Sequence, residues 1–536
     1  MEFLCIPLSQ VPRTSKLHAD FIEHFPQVKQ WYGHSPDEAG VIASAREARL
    51  DRAVRAEVVA ILREQNTALG SDASVTQSLD RLANGAVAVV TGQQVGLFSG
   101  PSYSFYKALA AIAWARRLTS QGIDAVAVFW LATEDHDIAE INHTWWQTRD
   151  GITQFEIPAD PEFAGRPVGN IPLGKGANSL VDSAASYLEG GYSGEAEEAL
   201  KQSYRDGETF GSAFGKLFAR TLAGRGLILL NPIEPRFHRL SAKVLRFAAE
   251  HAEELRADLM RRDKDLTLAG YHAQVRVTSE TTLLFQEVNG RRIPLRSRGP
   301  QFIADRITSD HAALDAAIEK APEAFSPNVL LRPIMQDTLL PTAAYIAGPA
   351  EVAYYAQCSV VYQKILGRMP AILPRPCFTL VEPTLERLLK KYRIDAAEVL
   401  RGRQQLRGLL ALRSLPRVLA RRFEKDEQRI RQILAAYHQP LKKLDSTLLG
   451  AAQSTERKIL YQFQKLSAKA GRAEAFRTGV IDRHERILID SLFPHRTLQE
   501  RILGFLPYLA LHGPELLDAL TERSAPNICA HSVAIL

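Results

Sequence analysis

The chain has 536 residues, of which 46% are hydrophobic, 24% charged and 8% aromatic, with 33 Gly and 28 Pro. That length predicts two or more structural units, and that composition excludes a collagenous, mucin-like or largely disordered chain. The formal charge of +6 is uneven: Thr384 to Asp490 holds 24 Lys plus Arg against 12 Asp plus Glu, a surplus of +12 that leaves −6 for the remainder.

Met1 to Asp20 lacks a basic start, an apolar stretch and a small-residue cleavage site, and no run of about 18 uncharged apolar residues follows, so neither secretion nor a membrane span is expected. The first 80 residues read as helical; in Ala43 to Leu69 the apolar Val54, Val58, Ile61 and Leu62 recur at three- and four-residue spacing. Gly85 to Val90 is a Val-rich strand, Thr91 to Pro101 a glycine-bearing loop, and Tyr103 to Leu118 a helix. Strand, glycine loop and helix open a nucleotide-binding α/β unit. A second buried strand, Ala125 to Leu131, completes a βαβ unit and runs into the polar segment Thr133 to His143. Both polar loops then open at the carboxyl ends of parallel strands, where ligands bind in such sheets.

Residues 150 to 205, punctuated by Gly and Pro, read as an insertion. A strand Gly226 to Leu230 precedes Asn231-Pro232 and a helix from about Pro235 to Met260. Ala273 to Val277, Leu283 to Val288 and Arg292 to Leu295 read as strands, and Ser326 to Asp337 and Tyr345 to Glu351 resume the strand, polar-loop, helix rhythm of an α/β protein. From Ile430 to Leu466, Ile430, Leu434, Tyr437, Leu441, Leu444, Leu448 and Ala451 step by fours and threes as a heptad seam, interrupted at Pro440. The seam is expected to bury Leu441, Leu444 and Leu448 against another helix in a homodimer. The tail Leu498 to Leu520 is amphipathic and is expected to pack back on the body. The expected division is thus 1–150, N-terminal helices and the first half of the core; 151–225, the insertion; 226–383, the second half of the core with a small β insertion; 384–490, a basic helical coiled coil; and 491–536, a returning C-terminal segment.

Four cysteines, Cys5, Cys358, Cys377 and Cys529, form no CxxC pair, which points to a reducing cytoplasm. Three polar groups carry candidate chemistry. In the glycine loop, Gln93, Gln94, Gly100, Tyr103, Tyr106 and Lys107 are candidate substrate-binding residues, because glycines admit close approach of backbone N–H groups to an anion and Lys107 adds a full charge. Glu134, Asp135, His136 and Asp137 crowd three carboxylates round an imidazole. They suit a general base, a cradle for a substrate ammonium group, a metal site with His143, or a helix-capping cluster. We take His136, Asp135 and Asp137 as candidate catalytic residues and Glu134 and Asn142 as substrate-binding, and assign no metal ligand. Finally, Arg332, Gln336, Asp337, Tyr345, Gly348 and Glu351 form a binding group in which Arg332 either grips a carboxylate or pairs with Asp337.

The runs TGQQVGLFSGPSYSFYKALAAI, VFWLATEDHDIAEINH, AGYHAQV, FSPNVLLRPIMQD and YIAGPAEVAYYAQ resemble the BshC family, to which the cysteine-ligation step of bacillithiol biosynthesis is assigned. The resemblance implies a Rossmann-type core related to class I aminoacyl-tRNA synthetases, a connective insertion and a coiled coil supporting a dimer. It implies a reaction that joins the cysteine carboxylate to the amine of glucosaminyl malate. Two departures from the synthetases stand out: no His-x-Gly-His follows the first strand, where Gln93 and Gln94 stand instead, and Lys465-Leu-Ser-Ala-Lys469 resembles KMSKS only superficially, on the heptad helix. Joining a free carboxylate to an amine needs an activated acyl group, so ATP, with Mg accompanying it, is the expected cosubstrate. The alternative reading is a tRNA- or DNA-binding protein using the basic helices, though no aromatic residues interleave the basic ones as a base-stacking platform requires.

Overall fold

The computed structural model describes residues 1–414, 417–526 and 529–536. At its centre the strands Ala371–Pro374, Thr342–Ala347, Val87–Gln93, Ala125–Leu131 and Ile228–Leu230 lie side by side in that order, every pair parallel. Counted by chain position the order is 5-4-1-2-3, the doubly wound Rossmann arrangement. These strands are apolar at successive positions because both faces are covered. Val87 and Val89 join Phe129 and Leu229 in one core, under the helices Tyr103–Ser120 and Phe210–Thr221. Ala88 and Val90 join Trp130 and Ile228 in the other, under Arg52–Ala68, Ala73–Ala83 and Pro349–Ile365. The winding reverses between Val87–Gln93 and Thr342–Ala347, so the crevice opens at their carboxyl ends.

A second, antiparallel sheet runs Ile307–Ser309, Gln301–Ala304, Arg291–Arg298, Thr281–Val288, Phe325–Pro327. The expected strand Ala273 to Val277 is irregular: the Gln357 side chain takes the place of a neighbouring strand, accepting from Val275 N–H at 2.8 Å and donating to Val275 O at 2.9 Å. The single helix expected from Pro235 to Met260 is three, Pro235–Leu240, Ala242–Glu250 and Ala252–Leu268. A hairpin, His143–Thr148 with Gly151–Glu156, straddles the expected boundary at residue 150.

The N-terminus is not wholly helical. Glu2–Ile6 is a strand paired antiparallel with His531–Ile535, which in turn runs parallel to Phe378–Val381. This pairing brings Cys5 to Cys529 in a disulfide across 524 residues, a proximity that spacing along the chain does not reveal.

The heptad region breaks near Pro440, where an interruption is expected, and then folds back on itself. Arg417–Ala435 ends before the short helix His438–Leu444, which contains Pro440, and Leu448–Thr478 then folds back. Phe423 meets Phe463 edge-on at 5.5 Å between ring centroids, and Gln464 donates to Glu427 at 3.0 Å, so the two long helices form an intramolecular antiparallel hairpin. Leu441 and Leu448 are half-buried and Leu444 is 79% exposed, in place of the burial expected for all three. At the hairpin's base Leu385, Leu389, Leu406, Ile481 and Leu488 share a separate core. Part of the basic surplus is neutralised locally, by Arg403 on Glu485, Arg407 on Asp482, Arg413 on Glu398, Arg422 on Asp426 and Arg431 on Glu427. Among the described residues no helix is long and apolar enough to cross a membrane.

Candidate active site

A cleft of about 1120 Å³ opens at the switch point, with Gly92 to Gln94 and Trp130 to His136 on the parallel-sheet side and Phe285 and Arg292 on the antiparallel sheet. Gln93, Gln94, Tyr103, Lys107, Glu134, Asp135, His136, Arg332, Tyr345, Gly348 and Glu351 all line it. Near the end of its strand Gly92 lies close against the neighbouring one, where a Cβ would stand 2.8 Å from Trp130 O.

Lys107, 2% exposed, reaches from the helix Tyr103–Ser120 to donate to Gly92 O and to Glu351 Oε2, the latter at 2.6 Å. Glu351 also accepts from Gly348 N–H at 2.6 Å and from the Tyr345 hydroxyl at 2.8 Å. Burial opposes its charge, but Lys107 and these donors outweigh it and hold the carboxyl below the ordinary range. This pair ties the helix after the first strand to the helix after the fourth, across the switch point. Arg332 does not pair with Asp337. Its guanidinium donates to Gln336 Oε1 at 3.0 Å and to the hydroxyls of Tyr345 and Tyr354 at 3.4 and 3.3 Å, beside the rings of Trp130 and Tyr345. No carboxylate among the described residues comes within ion-pair distance of it, so its charge stands beside the cleft with only neutral oxygens as partners.

The acidic cluster diverges. Asp135 and Glu140 both accept from the Gln94 side-chain amide, the former at 2.7 Å. Glu134 pairs with His238 at 2.9 Å. Asp137 turns away from the cleft and caps Ala139 N–H at 3.1 Å. The carboxylate hold expected on the imidazole is therefore not made by Asp137. Arg292 instead donates to His136 Nδ1 at 3.3 Å, with Asp135 Oδ1 3.7 Å from the same nitrogen. Burial and Arg292 push the pKa of His136 down, so it is neutral at pH 7. An arginine only donates, so Nδ1 is the acceptor and the proton sits on Nε2.

Several expected residues lie off the cleft. Gly100 belongs to a tight crossing in the left-handed region, φ +65°, where a Cβ on Gly96 would sit 2.9 Å from Gly100 Cα; its freedom serves packing rather than an anion. Tyr106 is fully buried between Phe378 and Phe505. Asn142 is buried and donates to Ile157 O at 2.9 Å. Gln336 and Asp337 lie behind Arg332; Asp337 accepts from Gln336 and Tyr362, and burial raises its pKa. The amino end of the helix Tyr103–Ser120 is not free for an anion either, since Ser102 gives both its N–H and its hydroxyl to Leu503 O, at 2.9 and 2.6 Å.

Four cleft or near-cleft residues escaped sequence reasoning: Arg292, His238, Arg375 and Arg501. Arg375, almost fully buried, pairs with Glu500 at 2.7 Å, and Arg375 and Arg501 stand over the Tyr103 ring at 5.2 and 5.9 Å. The strand alternation that leaves a charged residue facing inward at Arg292 was the one available signal. Arg276 and Arg501 line the cleft with no carboxylate partner among the described residues, a donor set that fits phosphate oxygens.

Residues 1–376 match the family model for the N-terminal Rossmann-like domain of bacillithiol biosynthesis BshC, and residues 378–536 that for its C-terminal coiled-coil domain. Relatives named "Putative cysteine ligase BshC" include a protein of Koribacter versatilis, 39% identical with 97% of each chain covered, and one of Solibacter usitatus, 36% identical with 100% of each covered. A third, from Salinibacter ruber, is 30% identical over 96% of this chain and 95% of its own.

Proposed function

This chain belongs to the BshC family of bacillithiol biosynthesis, and from that premise we propose that it is a ligase joining the carboxylate of cysteine to the amine of glucosaminyl malate in an amide bond. One observation carries the reading. A single cleft holds a guanidinium with no carboxylate partner, Arg332, and a buried carboxylate, Glu134, the complements of an acid and an amine. ATP supplies the leaving group that a free carboxylate lacks, with Arg276 and Arg501 meeting its phosphates and Mg accompanying it. His136, its Nδ1 engaged by Arg292, presents Nε2–H to the acyl oxygen as negative charge gathers there. Glu134 receives the amine. The helical hairpin joins two copies.

The test is incubation of the purified protein with cysteine, glucosaminyl malate and ATP, each omitted in turn, with the thiol product followed by mass spectrometry. Product that requires all three supports the reading; product without ATP removes the activation step, and none under any condition removes the reaction.

A further inference from the structure

Behind the cleft wall, Glu134 meets a cation on the short helix Pro235–Leu240. His238, 3% exposed, points Nδ1 at Phe325 O, 2.9 Å away, and Nε2 at Pro232 O, 3.1 Å, with Glu134 Oε1 2.9 Å from Nε2 as a charge contact rather than a hydrogen bond. Every neighbour of the ring nitrogens is an acceptor. A neutral imidazole has one N–H and would turn a lone pair on an oxygen at the other nitrogen, so the ring is an imidazolium.

We propose that His238 is a positioning residue that fixes Glu134 as the seat for the ammonium group of the amine substrate; this rests on the ligase reading above. The cleft carboxylates differ in where their partners stand. Glu351 is taken by Lys107, and Asp135 and Glu140 are taken by Gln94, all partners that themselves line the cleft. The partner of Glu134 lies behind it. Oε1 lies 2.9 Å from His238 Nε2, buried and without a hydrogen bond of its own, and Oε2 has no hydrogen-bond partner among the described residues on a side chain that lines the cleft. A buried ion pair is weak as a source of stability, because desolvation offsets most of the attraction. What the pair provides is orientation: the ring is pinned by two backbone carbonyls on separate segments, so a fixed positive charge stands behind Glu134 and draws its carboxylate before substrate arrives. Arg292, facing the pair from the antiparallel sheet, and the adjacent Asp135 complete the charged surroundings.

The test uses the full-length protein and two probes, glucosaminyl malate and its N-acetyl form, which lacks the ammonium charge. Calorimetry on the wild type should show the free amine binding more tightly. His238→Gln, which keeps a donor but removes the charge, should cut that preference by about 10- to 100-fold and raise KM for glucosaminyl malate with KM for cysteine unchanged. Glu134→Gln should do the same, and adding His238→Gln to it should change nothing further. A wild type that binds both probes alike overturns the proposal, as does a His238→Gln protein that keeps the preference or shifts both KM values equally. Should His238→Gln fail to fold, loss of the preference in Glu134→Gln supports the seat and its retention overturns it. Thiol formation by the wild type reports on the ligase reading separately.

Discussion

At His136 a guanidinium occupies the side of the ring where a base would need a carboxylate. A donor and a base make different forecasts for the same substitutions. His136→Ala should lower kcat by about 100- to 1,000-fold, the loss typical of one oxyanion donor, and His136→Asn, which retains an N–H, should recover part of it. A base would show no such recovery. The ring's titration offers a second check: burial and Arg292 depress its pKa below the ordinary 6.5, so removing the guanidinium in Arg292→Gln should move the midpoint, followed by the NMR shift of the ring protons, to higher pH. The polar loops after the first two strands were legible because their residue types are costly to bury without a partner. Which member of Glu134-Asp-His-Asp faces inward was not, since that depends on Asp137 capping Ala139 and on arginines brought from strands far away in the chain.

Whole elements follow the same division. Val-rich or apolar runs covered on both faces identify their strands from composition alone, and three of the five strands of the parallel sheet stand close to where the sequence puts them. Glu2–Ile6 and Ala273 to Val277 escape that logic, because the first owes its conformation to a partner at the other end of the chain and the second to one glutamine. The heptad pattern was legible as helix-packing residues with an interruption at Pro440, but its pairing was not: the chain turns after Leu444, and apolar residues of the two long arms meet each other. Val418 and Leu444, 84% and 79% exposed, remain on the hairpin's outside. Light scattering should therefore give a mass twice 59.5 kDa, and Leu444→Asp should weaken that association without lowering the monomer's helix content by circular dichroism.

On the scale of the molecule, the C-terminal segment is structural to the cleft. Glu500, fully buried, accepts from Arg375 and from Phe378 N–H, and Glu500→Gln leaves a buried guanidinium without its counter-charge. Breaking such a pair costs about 3–5 kcal/mol, so the melting temperature should fall and ligase activity with it. Stability should also depend on pH through His238. Burial opposes the charge of its ring, but Glu134 and two carbonyls raise its folded pKa above the unfolded value, so its contribution is whole below the unfolded pKa and fades as pH climbs through the folded one. Melting curves taken up that range should show the decline, and His238→Gln should flatten it. The pairing of Glu2–Ile6 with His531–Ile535 has a further consequence for synthesis. A ribosome delivers Glu2–Ile6 long before His531–Ile535, so the small sheet lacks its central strand until the later segment leaves the exit tunnel. Glu500 and Arg501 emerge shortly before it. Nascent chains stalled between Pro374 and Glu500 hold every strand of the parallel sheet but lack the residues that finish the cleft, and synthesis of the later segment is what completes it.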